Sequence, residues 1–421
     1  MRTGILVFIS LILPTLCFGT TYNIGPGETY TTFTLLVASE TLSPNDIVDG
    51  GDNTFTETWT LTDSGTDGNF ITLQNATIDG ESTRTNAIYG SNISFIKVQN
   101  ITFVDTTAAA INIDNGGGGW EIKNNEVSGC GIGFRLEAQN NSVYQNQIHD
   151  LVMVVNDATP NNDYGAIGVM ISASNNDVYE NLIYNCSAAS TDYGTDGACL
   201  EIYGTADNTQ IYRNQCYDSN NFLEVGSASN NSVQDVLILG NLSYHNNKNF
   251  LSLHIDGGNA AAISNMMVYN NTIVEDEVDA TPTSVSFWFD ADPVNGQVVL
   301  KNNIIVLNDA ADWGNYDPGE RDYNLYYLYD VSIDYYNDND TIDANGVSGN
   351  PTFGGGYTLT DGSPGIDAAE NLGASYDDIR DPRDLTVVDG ANTMVQGEHG
   401  VGWEIGAFGF IETTVRGVLV D

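Results

Sequence analysis

Residues Val98–Phe103 read VQNITF, and the same figure returns as IKNNEV (Ile122–Val127), VYQNQI (Val143–Ile148) and VYENLI (Val178–Ile183). It continues as IYRNQC (Ile211–Cys216), LGNLSY (Leu239–Tyr244), VYNNTI (Val268–Ile273) and LKNNII (Leu300–Ile305). Each copy is an extended apolar segment that ends in asparagine and is followed by a further apolar pair. The asparagines are Asn100, Asn125, Asn146, Asn181, Asn214, Asn241, Asn271 and Asn303, spaced 21 to 35 residues apart. A repeat of that size, poor in helix formers and rich in β-branched residues, marks a solenoid of strands. Asparagine suits a corner because it tolerates the left-handed backbone region. Stacked coil on coil, its amides can also hydrogen-bond in a ladder. The expected fold is all-β: a right-handed parallel β-helix.

Outward from the repeat, a segment preceding each corner forms a third strand family. Its members are Ala110–Asp114, Ile132–Ala138, Ile167–Ser172, Ala198–Tyr203, Phe222–Gly226, Leu251–Ile255 and Val285–Asp290. All alternate, so in Ala198–Tyr203 the residues Ala198, Leu200 and Ile202 are expected to face in, with Cys199, Glu201 and Tyr203 facing out. A solenoid exposes apolar core at its ends, which calls for caps. Residues 20–63 supply the N-terminal cap, including an amphipathic piece around Tyr30–Ala38. Coils run over 64–310, and 311–421 forms C-terminal coils and a packing tail.

Residues 1–19 read as an export signal: Met1-Arg2, the apolar run Ile5–Leu16, and a small residue near Gly19. That run is too short for a membrane span. The expectation is a secreted protein without a membrane span. Net charge is −44, with 12 basic against 56 acidic side chains, which argues against nucleic acid as a partner. The balance favours divalent cations instead. Beyond the signal lie Cys130, Cys186, Cys199 and Cys216. Spacing leaves their pairing open, and Cys216, at a core position of its repeat, reads as a buried thiol.

Two stretches near the C-terminus carry a resemblance. SGNPTFGGGYTLTDGSPGIDAA (Ser348–Ala369) and WEIGAFGF (Trp403–Phe410) resemble the ending of secreted bacterial β-helix proteins of the pectate-lyase-like superfamily. That family ends in a D-P-x-F, S-P-A-I-D-A-G, D-I-G-A-Y-E pattern. The matching residues are Pro351, Phe353, Ser363, Pro364, Ile366, Asp367, Ile405, Gly406, Ala407 and Phe408, while Asn350, Gly365 and Glu404 depart from it. The resemblance implies carbohydrate chemistry, with extracellular polysaccharide lying across the sheet that precedes the Asn corner. The polygalacturonase signatures N-T-D, G-H-G and R-I-K and the pectate-lyase W-I-D-H do not occur in this sequence.

On that sheet, one outward column should read Asn112, Arg135, Met170, Glu201, Glu224 and Ser252. The next should read Asp114, Glu137, Ser172, Tyr203, Gly226 and His254. The two longest loops entering it, Leu151–Gly165 and Ser187–Gly197, each carry Asp-Tyr-Gly: Asp163-Tyr164-Gly165 and Asp192-Tyr193-Gly194, the latter followed by Asp196. Long loops within compact repeats are commonly functional. Glu201 and Glu224 on adjacent coils would stand roughly 5 Å apart, the separation of a retaining glycosidase. A lyase on an acidic glycan needs a cation, a base and an acid. Asp163, Asp192 and Asp196 are the expected calcium ligands. Glu201, Glu224, His254, Arg135 and Tyr193 are the candidate catalytic groups, with Tyr164, Tyr203, Lys248 and Phe222 as substrate contacts. A calcium-assisted polysaccharide lyase is the leading expectation. A glycoside hydrolase on the same face, or a non-catalytic glycan-binding or adhesive β-helix, is the alternative. Composition also allows a plain one: a solvated acidic face, with Arg135 paired to Glu137.

Overall fold

The computed structural model describes residues 19–228, 231–275, 286–291, 296–307, 320–328, 343–376, 378–380, 393–396 and 402–408. The expected export signal lies outside the described residues apart from Gly19, as do Tyr335-Tyr336 and most of Asp377–Asp384. What is described is a right-handed parallel β-helix. Successive repeats pair in parallel and in register, Val143 with Val178, Val178 with Ile211, and Ile211 with Ile238. Each apolar residue therefore sits on its counterpart one coil away, and the column is fully buried.

A nine-stranded parallel sheet forms the face that precedes the corners. Its strands are Trp59–Thr60, Asn86–Ser91, Ala109–Asp114, Ile132–Leu136, Ile167–Ile171, Ala198–Tyr203, Asn221–Gly226, Leu251–Leu253 and Phe287–Phe289. At its start a short helix, Phe33–Ser39, buries Phe33 and Leu36; the Phe33 ring stacks on Trp59 at 5.0 Å. Thr32 caps that helix by accepting the Leu35 N–H at 3.2 Å. Toward the other end, Ile405 packs among Val274, Ile304 and Leu325. Gly406 (φ +106°) passes so close that a Cβ there would lie 2.5 Å from Ile304 Cδ1, so only glycine fits.

The corners hold a ladder of buried amides. Asn125, Asn146, Asn181, Asn214, Asn241, Asn271 and Asn303 each donate a side-chain N–H to the carbonyl oxygen of the next, at 2.9 to 3.1 Å, and Asn303 donates to Asn324. Each also donates to a main-chain oxygen of the preceding coil, as Asn181 does to Val143 at 2.9 Å. The ladder ends on Asp343, which accepts from Asn324 at 2.7 Å and pairs with Arg321 at 3.1 Å. Every amide-to-amide link runs toward the C-terminus, so an acceptor-only carboxylate can terminate the chain of amides but could not sit within it.

Three expectations need correction here. The left-handed residue is not the ladder asparagine but the one before it: Asn124, Gln145, Glu180, Arg213, Gly240, Asn270 and Asn302, with φ between 53° and 63°. Asn100 has φ 56° and occupies that preceding position, so it stands outside the ladder and is exposed; Ile101 takes the inner place and donates its N–H to Asn125. Second, Asn324 belongs to the ladder although its surroundings, DYNLYY, lack the repeat's usual first half. Third, Cys216 is not a thiol: it forms a disulfide with Cys199, while Cys130 and Cys186 remain buried and free. Cys199 therefore faces inward. The outer sheet breaks alternation at its entry, where Ala198 and Glu201 pair with Ile167 and Met170 and both point outward, leaving Cys199 and Leu200 together inside.

Candidate functional site

Register decides the outer face. Tyr89, Asn112, Arg135, Met170, Glu201, Glu224, Ser252 and Trp288 stack in one column, each paired with its neighbour one coil on. Adjacent strands lie about 4.8 Å apart, so Glu201 and Glu224 are set side by side. They form the floor of a cleft of about 950 Å³, lined also by Tyr164, Tyr193, Tyr203, Asp196, Lys248 and His254.

One wall is built from two β-hairpins, Met153–Val155 with Tyr164–Gly165, and Ala188–Ser190 with Gly194–Asp196. They are clasped to each other by their aspartates. Asp163 accepts from the Asp157 N–H (2.9 Å), the Ser190 hydroxyl (2.8 Å) and the Asp192 N–H (3.0 Å). Asp192 in return accepts from the N–H groups of Asn162 (3.0 Å) and Asp163 (3.3 Å). Asn156 adds a third link, donating to Ala189 O at 2.8 Å and accepting from Thr191. The Asp-Tyr-Gly signature is thus a reciprocal clasp that leaves Tyr164 and Tyr193 exposed at the rim, 39% and 47%.

The two glutamates have opposite environments. Glu224 accepts from the Asn221 amide at 3.1 Å and lies 3.1 Å from His254 Nε2. His254 Nδ1 is 3.3 Å from Asp290. Burial lowers the pKa of His254, but the carboxylates of Glu224 and Asp290 outweigh it and raise the net value. Glu201 makes no hydrogen bond or ion pair among the described residues. Burial pushes its pKa well above the usual carboxylate range; the charges of Glu224 and Asp196 add to this, and Arg135 opposes only in part. Asp196 is pushed up to about 6, again by burial and then by Glu224. The floor therefore sets a carboxyl whose pKa is raised, Glu201, beside one held by an amide and an imidazole, Glu224.

Most expected site residues converge on this cleft, with exceptions. Phe222 is fully buried and stacks on Phe250 inside the solenoid at 4.7 Å, so it cannot touch a substrate. The reason is the same break in alternation that turns Cys199 inward; Asn221, not Phe222, faces out. Arg135 lines the cleft, but its guanidinium pairs with Glu137 at 2.6 Å. Lys248 donates to Thr195 O at 2.6 Å. The expected calcium ligands do not make a suitable set. Asp163 spends both oxygens, and Asp192 its Oδ2, on N–H and O–H donors of the clasp, while Asp196 accepts from Gly197 N. Among the described residues no cluster of three or more His, Cys, Asp or Glu side chains is arranged to hold a metal.

Asn221, Trp288 and Asp290 were missed. Extending each outward column by one coil would have found Trp288 and Asp290. Asn221 needed the break in alternation to be recognised.

Among solved structures the chain is similar to pectate lyase Pel9A, with a TM-score of 0.56 at 13% identity over 94% of this chain and 97% of that one. It is also similar to tailspike protein mutants of E. coli bacteriophage HK620. A double mutant gives a TM-score of 0.52, and a mutant in complex with pentasaccharide gives 0.51. Both are 12% identical, over 79% of this chain and 60% of the tailspike chain. Likeness at such identities shows the fold, a parallel β-helix. No protein-family model matches the chain, and no curated protein matches it in sequence.

Proposed function

We propose that this protein is a secreted, carbohydrate-active β-helix that cleaves glycosidic bonds of a polysaccharide lying along the nine-stranded sheet. Glu201 delivers a proton to the leaving oxygen, and Glu224 acts from the neighbouring strand as nucleophile or base. The observation that carries this reading is the pair itself: adjacent carboxyls in register, one without a partner and with its pKa raised by burial, the other held by Asn221 and His254. Their strand spacing of about 4.8 Å is close to the roughly 5–5.5 Å carboxyl separation of retaining enzymes. The names carried by proteins of like fold, a pectate lyase and a tailspike bound to a pentasaccharide, support carbohydrate as the ligand class.

This reading favours hydrolysis over the lyase chemistry expected from sequence. The cleft gathers Asp196, Glu201 and Glu224, whereas Arg135 is neutralised by Glu137 and His254 sits between two carboxylates. A polyanion would meet repulsion there, so a neutral or amine-bearing glycan is the better fit. The lyase remains the second reading because Lys248 lines the cleft, where its amine, once deprotonated, could take the proton beside a uronate carboxylate.

A panel of neutral, amino-sugar and uronate polysaccharides separates the readings, with calcium and with chelator in parallel. New reducing ends without ultraviolet absorbance, abolished in Glu201→Gln, support hydrolysis. Absorbance of unsaturated uronate, dependent on Lys248, would replace it with the lyase. Binding without turnover would leave a glycan-binding module.

A further inference from the structure

We infer that Asp290 and His254 form a positioning dyad that fixes Glu224 in its reactive orientation, rather than His254 exchanging protons with the substrate. The inference rests on the reading that Glu224 acts on the glycan. His254 lies on the strand edge one coil beyond Glu224, and both its ring nitrogens are engaged, Nε2 by Glu224 at 3.1 Å and Nδ1 by Asp290 at 3.3 Å. Its main-chain N–H is anchored on Val225 O at 2.9 Å, and the Trp288 ring covers it edge-on at 5.2 Å. A ring bound at both nitrogens has one orientation and no free position to receive a substrate proton. Glu224 is fixed in turn: one oxygen faces the imidazole and the other the Asn221 amide.

The charged groups around the ring are Glu224 from Asn221–Gly226, Asp290 just past Phe287–Phe289, and Asp256 from the loop after Leu251–Leu253, which acts on Asp290. All are acidic, so they favour the protonated imidazole, which faces the Glu224 carboxylate. The sign of each replacement follows. Without His254, Glu224 loses the partner that orients one of its oxygens. Without Asp290, His254 loses its proton at lower pH.

Two measurements test this. In two-dimensional NMR of the full chain, with His254→Gln to assign its signal, His254 should titrate above an ordinary histidine. Its midpoint should fall by about one pH unit in Asp290→Asn, a tenfold change in proton affinity. A midpoint at or below the ordinary value, or one unmoved by Asp290→Asn, overturns the dyad whether or not a substrate is known. With an active glycan, His254→Gln should lower kcat, and Asp290→Asn should move the alkaline limb of kcat downward, with KM unchanged. Loss of rate with unshifted limbs would mean a merely structural role and overturn the inference. Full activity in Glu224→Gln would instead sink the underlying reading while leaving the titration result standing.

Discussion

The corner asparagines and the floor glutamates use the same device and reach opposite results. Both stack one polar side chain on its like in successive coils, set by the same parallel register. An amide carries donors and acceptors, so Asn181 and Asn214 join head to tail and satisfy the main chain beside them. A carboxylate only accepts, so Glu201 over Glu224 repels unless one is protonated or something lies between. The amide stack holds the solenoid together. The carboxylate stack is a standing electrostatic cost, tolerated where a protonated acid beside an ionised one is useful.

Substitutions can break that contrast in a definite order. The largest effect belongs to the floor: Glu224→Gln should lower the rate on any cleaved glycan by about 10²–10⁴-fold, measured as reducing ends. Its thermal midpoint should stay close to wild type, since loss of the pairing with His254 offsets the relief given to Glu201. Turnover at the wild-type rate would reduce the column to a solvated face.

Next comes a carboxylate placed where only an amide works. Asn271→Asp cannot donate to Asn303 and should cost about 3 kcal/mol or more at neutral pH. Its folded-state pKa would be raised by burial, so the loss is full above that value and eases as pH falls and the acid regains a proton to donate. Urea unfolding across pH reads this directly; a pH-independent loss would contradict it.

A simple gap costs less. Asn181→Ala should destabilise by about 1–3 kcal/mol in the same assay, leaving activity unchanged in the folded fraction. The smallest effect is expected at Asn100, outside the ladder and already left-handed. Asn100→Gly should stay within about 0.5 kcal/mol, and a loss as large as that of Asn181→Ala would return Asn100 to the ladder.

How far each feature could be read before folding depends on whether it repeats. The Asn figure recurs, so the parallel stacking of coils and the column joining Glu201 to Glu224 followed from spacing alone. What failed were places where a strand departs from period two or a group is claimed by a distant one. Phe222 and Cys199 turned inward because the outer strands put two successive residues inside at their entry. Asp163 and Asp192 looked like metal ligands because nothing local tells that each carboxylate accepts from the other's hairpin, 29 residues away. The left-handed corner was misplaced by one residue because asparagine is common at both adjacent positions, as in Asn124-Asn125 and Asn302-Asn303.

By itself, then, the amino-acid order determined the solenoid and the acidic outer column, since a periodic pattern and in-register stacking are short-range consequences of side-chain volume and β geometry. Tertiary structure alone decided which acids are free. Lone pairs are divided among donors brought together from separate coils, and that division leaves Glu201 unpartnered, ties Glu224 to His254 and Asp290, and locks Asp163 and Asp192 into a wall.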